Sequence, residues 1–170
     1  KFITFGGNQT TYQAWNGVPH DYLDNEDKRT YNIYDYKDQV DSYQQTHYQL
    51  HLNYAFNSNW KATLSGFHII GKGYFEEYKG SEYNSGSPQE FSDYGLDNVI
   101  IGSDTITETN LIRRRWLDNT FTGGVFNLNY SKNDLDLILG GGYNEYSGKH
   151  FGEIIWAEYA SNSQQDHHYY

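Results

Sequence analysis

The chain has 170 residues, of which 36% are hydrophobic and 18% aromatic, and its formal net charge is −10. That charge disfavours nucleic acid as a partner, because a phosphate backbone binds basic surfaces. The chain contains no Cys, which excludes disulfides, thiolate metal sites and a Cys nucleophile. The sequence contains no run of about 18 apolar residues, which is the length that a transmembrane helix needs. The length suits one domain, and abundant aromatics and Gly with few helix formers predict an all-β fold.

The chain opens on a short predicted strand and a long polar connection. Lys1 to Phe5 alternate weakly, and Gly6-Gly7 are expected to end the strand. Residues 8–41 are polar with scattered aromatics, and their second half is acidic. A connection of that length in a compact domain is typically functional or disordered.

Residues 42–72 predict a first β-hairpin around the turn Asn57-Ser58-Asn59. Every second residue on either side of this turn belongs to one largely apolar face: Tyr48, Leu50, Leu52, Tyr54, Phe56, then Trp60, Ala62, Leu64, Gly66, His68, Ile70. Pairing Phe56 with Trp60 places Leu52 beside Leu64 and keeps that face continuous. His and Asn residues occupy the opposite face.

Residues 122–143 predict a second hairpin of the same kind, with a turn at residues 131–134. The predicted pairs join one apolar face across the turn: Tyr130 with Leu135, Leu128 with Leu137, and Phe126 with Leu139. A slip of one residue would turn each apolar set to the other side. The alternation therefore predicts one apolar and one polar face.

Between and after the hairpins lie two further long connections, residues 73–118 and 147–166. The first is acidic and includes a predicted short strand at residues 98–102, and residues 167–170 are expected to open another strand. Short turns at one end, long acidic loops at the other and strands of on the order of 10 residues are typical of outer-membrane β-barrels. A soluble β-sandwich, whose strands also alternate, is the alternative. In a sandwich the leucines of the two predicted hairpins would face inward.

Several stretches resemble the barrel of TonB-dependent outer-membrane receptors of the Bacteroidetes type. They are similar in order and spacing over nearly the whole chain: TYQAWNGV (residues 11–18), RTYN (29–32), QTHYQLHLNY (45–54), GKGYFEEYK (71–79), FSDYGL (91–96), LIRRRWLDN (111–119) and HFGEIIWAEYA (150–160). The family's barrel has about 22 antiparallel up-and-down strands, long extracellular loops and a plug domain. Residues 1–170 would supply about five or six strands, with the plug and the remaining strands absent.

The resemblance also implies a function and a location. Such receptors lie in the lipid of the bacterial outer membrane and import a scarce extracellular nutrient, such as siderophore-iron, cobalamin, haem or oligosaccharide. TonB-ExbB-ExbD would supply the energy through an N-terminal part of the receptor, which the resemblance implies lies outside residues 1–170. The alternative function is that of a secreted β-sandwich carbohydrate-binding module, which would bind glycans through Trp and Tyr.

Two groups of residues are candidates for ligand binding. Arg113, Arg114 and Arg115 could hold an anionic ligand, because guanidinium groups bind oxyanions in pairs of hydrogen bonds. The alternative is charge balance, with pairing to Glu108 or Asp118. The other candidates are aromatics expected in loops, of the kind that stack on sugars, haem or aromatic siderophores: Tyr12, Trp15, Trp116, Trp156 and Tyr159.

The sequence predicts no enzyme, resident metal or cofactor. His47 and His51 would lie about 13 Å apart along a strand, which is too far for one metal ion. Glu76 and Glu77 are adjacent, so in a strand they face opposite ways and cannot act as an acid–base pair. The chain has no G-x-S-x-G, no H-E-x-x-H and no phosphate loop.

Overall fold

A computed structural model describes residues 1–159 and 167–170 of the protein. The strands, in chain order, are β1 (Phe2–Tyr12), β2 (Val40–Ala55), β3 (Trp60–Lys79), β4 (Gln89–Glu90), β5 (Val99–Ile101), β6 (Asp104–Ile106), β7 (Glu108–Thr109), β8 (Leu111–Lys132), β9 (Leu135–Ala157) and β10 (His167–His168). Three 3-10 turns, His20–Tyr22, Glu26–Lys28 and Phe91–Tyr94, are the helical elements of the described residues. Within these ranges, no helix has the length and apolar character needed to cross a membrane.

The protein is all-β with antiparallel sheets, as the composition predicts. One six-stranded sheet has the order β1-β2-β3-β8-β9-β10, so β1 and β10 are its edges. Two ribbons accompany it, one of β4 with β7 and one of β5 with β6. The strand predicted at residues 98–102 is confirmed by β5, and the one predicted at residues 167–170 by β10.

The long strands extend well past their predicted ends. β3, β8 and β9 have 20, 22 and 23 residues, and β1 continues through Gly6-Gly7 to Tyr12. The third long connection was predicted to begin at residue 147. That prediction is wrong as far as Ala157, because β9 continues to this residue. Residues 160–166 lie outside the described part. Hydrophobic alternation stops where both sides of a strand become polar, but backbone hydrogen bonds continue without it.

The chain divides into two units. The first, here the hairpin unit, comprises Lys1–Asn8, Tyr43–Lys72 and Leu117–Lys149. The second, here the loop unit, comprises Gln9–Ser42, Gly73–Trp116 and His150–Tyr170.

In the hairpin unit, the first hairpin has the predicted register. The Phe56 N–H donates to the Trp60 carbonyl at 3.0 Å, which fixes the pairing next to the turn. On the polar side of the same pair of strands, the Thr63 hydroxyl donates to Asn53 at 2.9 Å. Both contacts match the pairing inferred from alternation, so that prediction is confirmed.

The second hairpin has a different register from the predicted one. A Cβ built on Gly141 would lie 2.9 Å from the Phe126 ring, so Phe126 faces Gly141 and not Leu139. The turn consists of the two residues between β8 and β9, and the first of them, Asn133, has φ of +54°. Asn tolerates this left-handed conformation, which permits a tight two-residue turn. The shift is two residues, so each side chain stays on its predicted face.

The apolar side of the two hairpins, here the leucine face, is exposed. Six of its leucines retain about half of their accessible surface: Leu50 47%, Leu52 48%, Leu64 52%, Leu135 51%, Leu137 55% and Leu139 64%. Leu128, on the same face, is partly buried. The opposite side, here the polar face, carries hydrogen-bonded His, Asn, Ser and Thr residues, such as His51, whose Nδ1 lies 2.9 Å from the Ser65 hydroxyl. The described leucines of this unit therefore do not form the inward core that a sandwich requires.

The hydrophobic core of the described residues lies in the loop unit. It consists of Phe91, Tyr94, Leu96, Leu111, Ile154 and Ala157. Phe91, Leu111 and Ile154 are fully buried. The Phe91 N–H donates to the Thr107 carbonyl at 2.9 Å, and β4 pairs with β7 beside it. The long connection between β3 and β8 is therefore a packed structure.

Candidate functional site

Two of the three consecutive arginines on β8 are committed to ion pairs within the loop unit. Arg113 Nη2 lies 2.8 Å from Glu77, and its Nη1 donates to the Tyr94 hydroxyl at 3.0 Å. Arg114 Nε donates to Glu76 at 2.8 Å. Burial opposes both charges, but the adjacent carboxylates outweigh it and raise the pKa of each arginine.

These pairs confirm that charge balance uses two arginines but correct their partners. The expected partners were Glu108 and Asp118, whereas Glu76 and Glu77 take that role. Asp118 instead lies 3.9 Å from Lys72 in the hairpin unit. The antiparallel pairing of β3 with β8 explains why the partners differ from the expected ones, because it places Glu76 and Glu77 opposite the arginines.

Glu76 is the centre of a buried polar network. Its side chain accepts from the Tyr36 hydroxyl at 3.1 Å as well as from Arg114, and the Gln13 amide donates to its backbone carbonyl at 3.0 Å. Burial, and then the Glu76 charge, raises the pKa of Tyr36. Glu76 and Glu77 thus bind separate arginines, as expected for adjacent strand residues that face opposite ways.

Arg115 differs from its two neighbours. Its Nε donates to the Tyr170 hydroxyl at 2.9 Å, and its guanidinium carbon lies 5.4 Å from the Phe75 ring centre and 5.8 Å from that of Tyr170. The residue is exposed. Of the residues that the structure describes, no carboxylate pairs with it.

Trp15 lies against the same phenyl ring as Arg115. Its ring centre is 5.1 Å from that of Phe75 at 79°, and 6.3 Å from that of Tyr34 at 77°. Trp15 is 53% exposed. An exposed indole and an exposed guanidinium therefore share Phe75 as a support.

Other predicted aromatics pack within the loop unit. The Trp116 Nε1–H donates to Glu153 at 2.8 Å, and the indole stacks on Phe151 at 11°. The Tyr12 hydroxyl donates to the Tyr36 carbonyl at 2.7 Å. Tyr12, Trp116 and Trp156 lie in strands, so their placement in loops was wrong. Trp116 and Tyr12 therefore pack and hydrogen-bond within the protein.

Tyr159 lines a separate cavity of about 320 Å³ in the loop unit. Its N–H donates to the Thr109 hydroxyl at 3.1 Å. The charged residues of this lining are Glu108 and Glu158. An anionic ligand would be repelled there, so this cavity and the Arg115 surface suit different ligands.

The contributions of Tyr34, Phe75 and Tyr170 were missed from the sequence. Phe75 and Arg115 lie 40 positions apart, and only the pairing of β3 with β8 joins them. A search for residues that face the arginines across that pair would have found Phe75. Tyr170 follows the last strand, where no local pattern indicates a direction.

The chain matches no family model, no curated protein and no solved structure. The resemblance to TonB-dependent receptors therefore stays a prediction. In the described ranges, no group of three or more His, Cys, Asp or Glu residues could hold a metal ion. The candidate site consists of Trp15 and Arg115 with their aromatic supports.

Proposed function

We propose that the chain is part of an outer-membrane β-barrel receptor that binds a scarce nutrient outside the cell for TonB-energised import. The leucine face contacts lipid, the polar face lines a wet lumen, and the loop unit supplies the extracellular ligand-binding surface. The exposure of the leucines on a well-paired sheet carries this proposal.

The solvent preference of the leucine face supports a lipid environment. Transfer of one half-exposed Leu from water to hydrocarbon is favourable by about 1 kcal/mol. Six leucines on this face are about half exposed or more. Such a face in water would form a contiguous apolar patch, which on soluble proteins marks an interaction surface.

The polar face and the sheet edges also fit a barrel wall. Hydrogen-bonded pairs such as Thr63 with Asn53 suit a surface that faces water. In lipid, the open edges of β1 and of the part of β9 that lies in the hairpin unit would need further strands, because hydrocarbon cannot satisfy unpaired backbone groups. In this proposal the sheet is a section of a larger closed one. No observation favours the sandwich module, whose leucines would be buried.

A pair of adjacent arginine substitutions tests the proposal. Leu139 and Ile138 are 64% and 76% exposed and lie on opposite faces of β9. In the protein as its gene encodes it, L139R should cost about 2–4 kcal/mol of membrane stability, since an arginine would face hydrocarbon. I138R should face water and leave the membrane-inserted fraction near wild type.

The inserted fraction is measured by membrane fractionation and by resistance of the folded protein to heat and detergent. Both variants change the same charge on neighbouring exposed positions, so I138R controls for expression and net charge. Equal tolerance of L139R and I138R would contradict a lipid-facing leucine face.

A further inference from the structure

We propose that Trp15, Phe75, Arg115 and Tyr170 form a binding site for a carboxylate carried on a ring that has an apolar face. The carboxylate binds the Arg115 guanidinium, and the ring lies against Trp15. This inference rests on the proposed function, because it assigns a ligand class to the extracellular surface of the receptor.

The guanidinium of Arg115 is positioned and available. The Arg115 Nε donates a hydrogen bond to the Tyr170 hydroxyl. The ring centres of Phe75 and Tyr170 lie 5.4 and 5.8 Å from the guanidinium carbon. These contacts limit the rotation of a side chain that is otherwise flexible, so less entropy is lost on binding. Among the described residues the two Nη groups have no hydrogen-bond partner, and they can bind a carboxylate through two parallel hydrogen bonds.

Trp15 supplies the surface for the ring. It is held by two edge-type aromatic contacts and keeps half of its area exposed. Indole faces bind aromatic rings and the apolar faces of sugars. Trp15 and Arg115 both contact Phe75, and in this proposal one ligand spans the two side chains.

The charge of the protein makes both contacts necessary. With a net charge of −10, the chain repels anions at long range. Arg113 and Arg114 are neutralised by Glu77 and Glu76, so of the three arginines Arg115 is the one without a paired carboxylate among the described residues. A bare carboxylate such as acetate gains too little from one exposed cation, whereas a ring carboxylate adds stacking to the ion pair.

Two ligand sources share this chemistry, namely aromatic acids and uronic-acid sugars. The purified protein in detergent is titrated with 4-hydroxybenzoate and with trigalacturonate by calorimetry. Their methyl esters and acetate serve as reference ligands. We expect a ring carboxylate to bind about tenfold more tightly than its ester, which cannot form the charged pair. The tighter acid identifies the source.

Substitutions then assign the binding to this surface. R115A should weaken the acid about tenfold and leave the ester unchanged, and R115K should recover part of the loss because it restores charge but not the fork. W15A should weaken acid and ester alike, by about fivefold. R29A removes an equal charge from an exposed position of the same unit and should change neither.

The outcomes separate this inference from the proposed function. Failure of both acids to bind, equal binding of acid and ester, or equal effects of R115A and R29A would overturn the site. None of these results depends on the leucine face. Conversely, equal tolerance of L139R and I138R with intact acid binding would reject the membrane location and retain the site.

Discussion

The ion pair of Glu76 with Arg114 joins two neighbouring strands and is expected to stabilise the fold. The Glu76 side chain is 6% exposed, and Arg114 provides its charged partner at 2.8 Å. R114A leaves that carboxylate buried with only the Tyr36 hydroxyl, which should lower the free energy of unfolding by about 2–3 kcal/mol. Denaturant titration measures the change.

The pair of Lys37 with Asp38 provides the control for R114A. Their side chains are 82% and 55% exposed, and their nitrogen and oxygen lie 3.6 Å apart. K37A should change the free energy of unfolding by less than about 0.5 kcal/mol, since exposed ion pairs contribute little. Similar effects of R114A and K37A would show that the Glu76 network is not structural.

The partly buried Tyr169 is expected to make the stability of the protein depend on pH in the alkaline range. Burial raises its pKa to about 12 from the ordinary value of 10.0. Between those values the unfolded chain loses a proton that the folded protein keeps, so stability should fall as pH rises from 10 to 12. Y169F should make this fall less steep.

The same substitution should also stabilise the protein near neutral pH. The Tyr169 hydroxyl is buried and has no hydrogen-bond partner among the described residues. Its removal should raise the free energy of unfolding by about 1 kcal/mol. Urea titrations at neutral and alkaline pH measure both effects. A destabilised Y169F with an unchanged alkaline slope would contradict this assignment.

The individual candidate residues were predictable in part. Trp15 and the run of three arginines could be chosen from residue type alone, because indoles and guanidinium groups recur in binding sites. Which arginine remains available could not be predicted. It depends on the pairing of β3 with β8, which places carboxylates opposite Arg113 and Arg114 but Phe75 near Arg115.

The turn between β8 and β9 depends on the left-handed conformation of Asn133. A β-branched residue at φ of +54° is strained, so N133V should lower the free energy of unfolding by about 1–2 kcal/mol. N133G should retain the stability of the wild type, since Gly adopts this conformation freely. Denaturant midpoints of the two variants test this. A fully stable N133V would contradict the two-residue turn.

The two hairpins show what alternation determines and what it leaves open. In both, period-two patterning identified the correct face for every leucine. It gave the correct register only for the first hairpin, where the Asn57-Ser58-Asn59 turn constrains the pairing. In the second, registers two residues apart preserve the same faces, and the conformation of Asn133 decides between them.

The fold class and the two faces of the sheet followed from composition and alternation over the long strands. The packed loop unit did not. Its core joins Phe91, Leu111 and Ile154, which are far apart in sequence and lie in stretches without a continuous apolar pattern. Such contacts are set by tertiary packing, which single-sequence patterns do not contain.

The central claim, that the leucine face contacts hydrocarbon, can be tested directly by lipid-borne quenchers. The 170 residues contain no Cys, so one introduced Cys is a unique label position within them. Fluorophores at L137C, I138C and L139C are compared in vesicles whose acyl chains carry nitroxides. We expect strong quenching at residues 137 and 139 and weak quenching at 138. Equal quenching at all three positions, or none, would contradict it.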